Sequence, residues 1–89
     1  MSSFIVTYDL NKQGQNYDCI TEKLEAYGTY WHIQGSVWII VTAQSAKQIR
    51  DNLVACLDEN DELFVGKLSG EAAWQGYNEK VSNWLKEKL

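Results

Sequence analysis

The residue best placed to do chemistry in this 89-residue sequence is an aspartate that ends an apolar segment. Asp9 directly follows residues 4–8, Phe-Ile-Val-Thr-Tyr. A carboxylate at the end of a buried strand can bind a divalent cation, and a bound cation can activate water for hydrolysis. An aspartate at a strand end also commonly forms a turn, so both interpretations of Asp9 stay open.

A second group of acids lies at residues 58–62, Asp-Glu-Asn-Asp-Glu, immediately before another apolar segment. If that segment is a strand antiparallel to the first, Asp61 and Glu62 lie at the same end of the sheet as Asp9. Such an acidic rim could hold Mg²⁺, the one cofactor that the sequence suggests. The simpler interpretation is a solvated turn that carries no ligand.

Other catalytic patterns are weak. His32 is the single histidine, and no nucleophile is placed beside it, so we interpret it as structural. Cys19 and Cys56 both fall in helical patterns without a Cys-x-x-Cys motif, which argues against a zinc site. A single bridge between them is possible in principle, but we expect two buried free thiols.

Composition limits the classes of partner. Eight Lys and Arg against twelve Asp and Glu give a net charge of −4, which argues against a general coat on nucleic acid. No stretch approaches the roughly 20 apolar residues of a membrane helix, so no membrane association is expected. The N-terminus lacks a basic region and a cleavage pattern, which favours a cytoplasmic location.

Hydrophobic periodicity predicts four strands and three helices. Helical spacing of apolar residues marks a first helix, which Asn16 can cap and Gly28 can end, and a second that begins at a Ser45–Gln48 capping box. Gly35 is suited to the first position of a hairpin turn. The expected strands are residues 4–10, 29–34, 37–42 and 63–68, and a terminal helix is expected over 78–89.

The order βαββαβ predicts a ferredoxin-like α+β fold, an antiparallel sheet in the order 4-1-3-2 with two helices on one face. The chain is one domain over residues 1–89, with a core at about 3–69 and a helical tail at about 70–89. The two most apolar strands, the first and third, are expected in the centre, pointing the same way.

The face of the sheet that the two helices leave bare needs a cover. Tyr8, Tyr30 and Trp38 are candidates for this open face. The tail, a second copy of the chain or a ligand could cover it. We expect a homodimer, with the tail helping.

Three short motifs are similar to a known family. They are Tyr8-Asp9 at a strand end, Ala26-Tyr27-Gly28 at a helix end, and Ser36-Val37-Trp38 after a hairpin. Together, within residues 4–68, they resemble the small CRISPR-associated protein of the adaptation complex, the partner of the integrase subunit. Virulence-associated D toxins and the SinR-like small proteins are related groups. Of these, the SinR-like group is the most similar in sequence pattern.

The resemblance implies a ferredoxin-like homodimer joined through its sheets. It also implies that Asp9 faces its symmetry mate, where two carboxylates can bracket Mg²⁺ and a phosphodiester. We expect a non-catalytic protein-interaction module, with a protein partner, in a phage, plasmid or defence setting. The alternatives are a Mg²⁺-dependent endonuclease and a small-molecule-binding domain.

Overall fold

The computed structural model describes residues 1–10 and 17–89, and within them the chain forms four strands and three helices. This order confirms the α+β class and the terminal helix. Asn16, the expected cap of the first helix, lies outside the described residues. The elements are β1 (Ser2–Asp9), α1 (Asp18–Glu25), β2 (Tyr30–Gln34), β3 (Val37–Thr42), α2 (Ala46–Val54), β4 (Glu62–Lys67) and α3 (Glu79–Lys88).

The four strands form one sheet in the order β2-β3-β1-β4, which is 4-1-3-2 when counted from the opposite edge. Every neighbouring pair is antiparallel. The expectation that the first and third strands run parallel is therefore wrong. The reason is the hairpin: β3 reverses direction after β2, so β1 matches β2 in direction and opposes β3.

The main core lies between the sheet and the first two helices. Alternate residues of β1 and β3 face α1 and α2, whose apolar stripes are Ile20 with Leu24 and Ile49 with Leu53. All four helix side chains are buried. Burying each contributes about 1.5–3 kcal/mol. The sheet contributes five further buried residues to this core, Phe4, Val6, Tyr8, Trp38 and Ile40.

A second, smaller core lies on the other face, where α3 packs over β2 and β3. Val81 and Leu85 of α3 are buried with Ile39 of β3. Ser3 on β1 fixes the end of α3, because its hydroxyl donates to the carbonyl oxygen of Lys88 at 2.6 Å. The tail therefore covers part of the second face, as the sequence suggested.

Local signals are confirmed at three places. Ser45 and Gln48 form the expected capping box at the start of α2, each side chain accepting the other's backbone N–H. Gly28 follows α1 with a φ of 85°, and Gly35 has a φ of 35° in the β2–β3 turn. Positive φ at these two positions is the conformation that glycine adopts without strain. In the described part of the chain, no helix is long and apolar enough to cross a membrane.

The prediction of two free thiols is wrong, because Cys19 and Cys56 form a disulfide. Cys19 lies on the exposed side of α1, and Cys56 lies just beyond the end of α2. The two helices pack side by side on one face of the sheet, which brings these Cα atoms to 5.6 Å. That separation is typical of a disulfide. Disulfides are rare in cytosolic proteins, so the bridge does not support the predicted cytoplasmic location. That location stays a prediction.

Reduction of this bridge should lower the free energy of unfolding. The bridge joins residues 37 positions apart. Closing a loop of that length stabilises the fold by roughly 2–4 kcal/mol, chiefly by restricting the unfolded chain. Urea unfolding with and without reductant measures the difference, and Cys19→Ser and Cys56→Ser should each reproduce the reduced state. Titratable thiols in the unreduced, denatured protein would contradict the bridge.

Candidate functional site

The second face of the sheet is left partly uncovered beside β4. We call this region the open patch; it consists of Ile5 and Thr7 of β1 and Phe64 of β4, which lie on one face by register. Phe64 is 61% exposed, and Ile5 and Thr7 are half-buried. A large apolar side chain this exposed on a regular strand marks a surface suited to a partner.

Gly66 shapes the open patch. A Cβ at position 66 would lie 3.0 Å from Cε2 of Phe64 and 3.7 Å from Cγ2 of Ile5. The glycine therefore lets the Phe64 ring lie flat along its own strand. Any larger residue would push the ring away from the sheet.

The acidic end of the open patch is formed by Asp9 and Glu62. They are directly opposite each other in the β1–β4 register, and both are exposed. Like charges in this position repel, and a bound cation would relieve the repulsion. The predicted approach of Asp9 to Glu62 is thus confirmed.

Asp61 does not join this pair. Its carboxylate accepts a hydrogen bond from the backbone N–H of Asp58 at 2.8 Å, closing the turn before β4. In residues 1–10 and 17–89, no group of three or more His, Cys, Asp or Glu side chains is arranged to hold a metal. Asp9 and Glu62 alone supply two carboxylates, and Mg²⁺ bound through one or two carboxylates takes its other ligands from water and substrate phosphates.

Tyr8, Tyr30 and Trp38 do not lie on the open face, so that prediction is wrong. Trp38 and Tyr8 are 1% and 6% exposed beneath α1 and α2, and Tyr30 packs against the same core. The indole Nε1 of Trp38 donates to the Tyr8 hydroxyl at 3.1 Å. Strand alternation explains the placement, because Tyr8 shares a face with Phe4 and Val6.

His32 has the structural role that the sequence suggested. Its ring stacks on Trp38 with centroids 4.1 Å apart and planes 9° apart, and its Nε2 donates to the carbonyl oxygen of Gly35. These contacts fix the β2–β3 hairpin. The imidazole lies on the face opposite the Asp9–Glu62 pair, since His32 is paired with Trp38 in the register.

Sequence reasoning did not single out Ile5, Thr7 or Gly66. The signal that could have found them is the alternation of β1 carried across the register. Once Phe4 and Val6 are assigned to the core, Ile5 and Thr7 must face the other way.

The chain matches no protein-family model, and a search of curated proteins found no matching relative.

Burial of Tyr8 makes stability depend on alkaline pH. Burial raises the pKa of the Tyr8 hydroxyl, the hydrogen bond from Trp38 opposes the rise, and Tyr17 adds to it. The folded protein therefore holds this proton more tightly than the unfolded chain does. The resulting stability is fully present below the ordinary tyrosine pKa of about 10, and it is lost as the pH rises from there through the higher pKa of the folded protein.

Tyr8→Phe should remove this dependence. Urea unfolding between pH about 9 and about 11 should show a shallower decline for Tyr8→Phe than for the parent. The variant should also be about 1–3 kcal/mol less stable at neutral pH, because the Trp38 indole N–H loses its partner. Tyr77→Phe is the control, since Tyr77 is on the other face. Equal slopes for Tyr8→Phe and the parent would contradict the assignment.

Proposed function

We propose that this chain is a non-catalytic protein-interaction module that acts as a homodimer. The observation that carries the proposal is Phe64, which is 61% exposed on a face that α3 covers only over β2 and β3. α3, held by the Ser3–Lys88 hydrogen bond, covers the β2–β3 side of that face. What is left is an apolar surface with no cover in the described residues.

The energetics favour an apolar partner for this surface. Burying a phenylalanine side chain contributes about 1.5–3 kcal/mol, and a two-fold dimer gains this twice. The shape of the open patch is also suited to a flat contact, because Gly66 keeps the Phe64 ring close to the sheet.

The ferredoxin-like assignment belongs to this proposal. It is supported by the neighbour order of the strands and by two helices packed on one face. The resemblance to the small CRISPR-associated adaptation protein and the SinR-like proteins supplies the setting, which is phage, plasmid or defence biology. A further protein partner would bind the assembled dimer.

Phe64→Ser should weaken the dimer. Loss of the ring should raise the dimer Kd at least about tenfold, measured by sedimentation equilibrium. Val54→Ser is a matched control, because Val54 is an exposed apolar residue on α2, 48% exposed and on the other side of the sheet. A parent protein that stays monomeric at about 50 μM would overturn the proposal.

A second candidate function is Mg²⁺-dependent phosphodiester hydrolysis. The observation that favours it is the exposed Asp9–Glu62 pair at the border of the open patch. A dimer that joined two such pairs would bring four carboxylates together. When bound there, Mg²⁺ would supply charge neutralisation at the phosphate and a more acidic water. Asp9 and Glu62 would hold the ion. Asp9 matches the strand-end aspartate of the resembled family and would be the catalytic residue.

Titration calorimetry with MgCl₂ separates the two functions. On the nuclease hypothesis, one ion binds per dimer, and Asp9→Asn abolishes both this heat and any cleavage of a labelled oligonucleotide. The interaction-module proposal predicts no saturable heat and an unchanged dimer in Asp9→Asn. Glu59→Gln, in the exposed turn before β4, is the control for a general loss of charge.

A further inference from the structure

The two edges of the sheet differ. The β2 edge is irregular, with a register shift between His32 and Gln34, and α3 and its preceding loop hold it. Tyr77 donates to Gln34 at 2.6 Å, and Trp84 packs on Trp31 with ring centroids 5.7 Å apart. Bulges and covering elements of this kind block the addition of another strand.

The β4 edge carries none of these protections in the described residues. β4 pairs with β1 through six successive positions without a register shift. Its four central residues, 63–66, include no charged side chain and no proline. A regular, uncharged edge of this kind is a template for strand addition.

The direction of the β4 backbone groups follows from the ladder. The N–H of Leu68 donates to the Ser3 carbonyl oxygen at 2.9 Å, so even-numbered residues of β4 bond to β1. Leu63, Val65 and Lys67 therefore direct their N–H and C=O groups away from the sheet. Outside the strand ladders, none of the backbone hydrogen bonds of residues 1–10 and 17–89 involves these three residues.

The charge at the start of β4 decides in which direction two copies of this strand can pair. Glu62 begins β4 and Lys67 ends it, and both are exposed. Glu62 and Lys67 lie on opposite faces of the sheet, so they do not pair with each other across the edge. Antiparallel self-pairing in the register centred on Val65 sets Glu62 opposite Leu68 of the other copy and keeps the two Glu62 side chains apart. Parallel pairing would set Glu62 beside Glu62, which repels.

We propose that two copies join edge to edge through antiparallel pairing of β4 with β4, an inference that rests on the proposed homodimer. In the register centred on Val65, the outward N–H and C=O groups of Leu63, Val65 and Lys67 all find partners in the other copy. Phe64 then lies opposite Gly66 of the second copy. The two rings, each lying over Gly66 of its own chain, then meet side by side, so the same contact buries the open patch.

Amide hydrogen exchange by NMR tests the pairing on the unmodified protein. Above the dimer Kd, the amides of Val65 and Lys67 should exchange at least about tenfold more slowly than below it. The amides of Phe64 and Gly66, already bonded to β1, should change much less. Exchange at Val65 that is independent of concentration, in a protein that sedimentation shows to be dimeric, would overturn the edge pairing and leave the homodimer standing.

A pair of variants gives an independent measurement. Val65→Pro removes an outward N–H and places a ring at the edge, so the dimer Kd should rise at least about 100-fold. Val65→Ala keeps the N–H and should change the Kd less than about fivefold. Near-ultraviolet circular dichroism checks that both variants are folded.

The outcomes separate the two proposals. A Val65→Pro protein that is folded and still dimeric, combined with loss of the dimer in Phe64→Ser, would indicate face-to-face stacking of the open patches and overturn the edge pairing. A parent protein without any dimer would overturn both.

Discussion

The register of β1 is the constraint on which the rest of the structure depends. β1 joins the β2–β3 hairpin on one side to β4 on the other. Its even-numbered residues face α1 and α2. Its odd-numbered residues lie on the other face, which carries α3 and the open patch. A shift by one residue would exchange the two sets, burying Asp9 and exposing Tyr8. The buried Tyr8–Trp38 hydrogen bond stabilises the observed register, since a shift would leave the indole N–H without its partner.

The motifs behind the family resemblance mostly have structural roles in this chain. Tyr8 and Trp38 form the buried pair, and Tyr27 donates to Gln44 at 2.7 Å. The carbonyl of Ser36 accepts from the N–H of Tyr8 at 3.2 Å, so it extends the β1–β3 ladder. Asp9 is the exception, because its side chain is exposed at the end of β1. The resemblance is therefore carried by residues that specify a fold, and fold alone does not specify function.

The sequence predicted the order of elements well, because periodicity and caps are local. The Ser45–Gln48 box, Gly28 and Gly35 could be interpreted within a few neighbouring residues. The errors arose where long-range placement mattered. The Cys19–Cys56 bridge depends on how α1 lies against α2, and aromatic size alone suggested an open-face position for Tyr8 and Trp38. Asp9 and Glu62 were brought together correctly, because the antiparallel pairing of the first and last strands fixes which ends meet.

The hydrogen bond between Ser3 and Lys88 has a consequence for the folding pathway. It joins residues 85 positions apart and fastens α3, whose packing completes the second core. Contacts of such long separation carry a high closure entropy and form after the local hairpin and helices. We expect the sheet with α1 and α2 to assemble first, with Trp31 and Ile39 still exposed to water. The docking of α3 is then the late step, and an intermediate that lacks it would present an apolar sheet face to other chains.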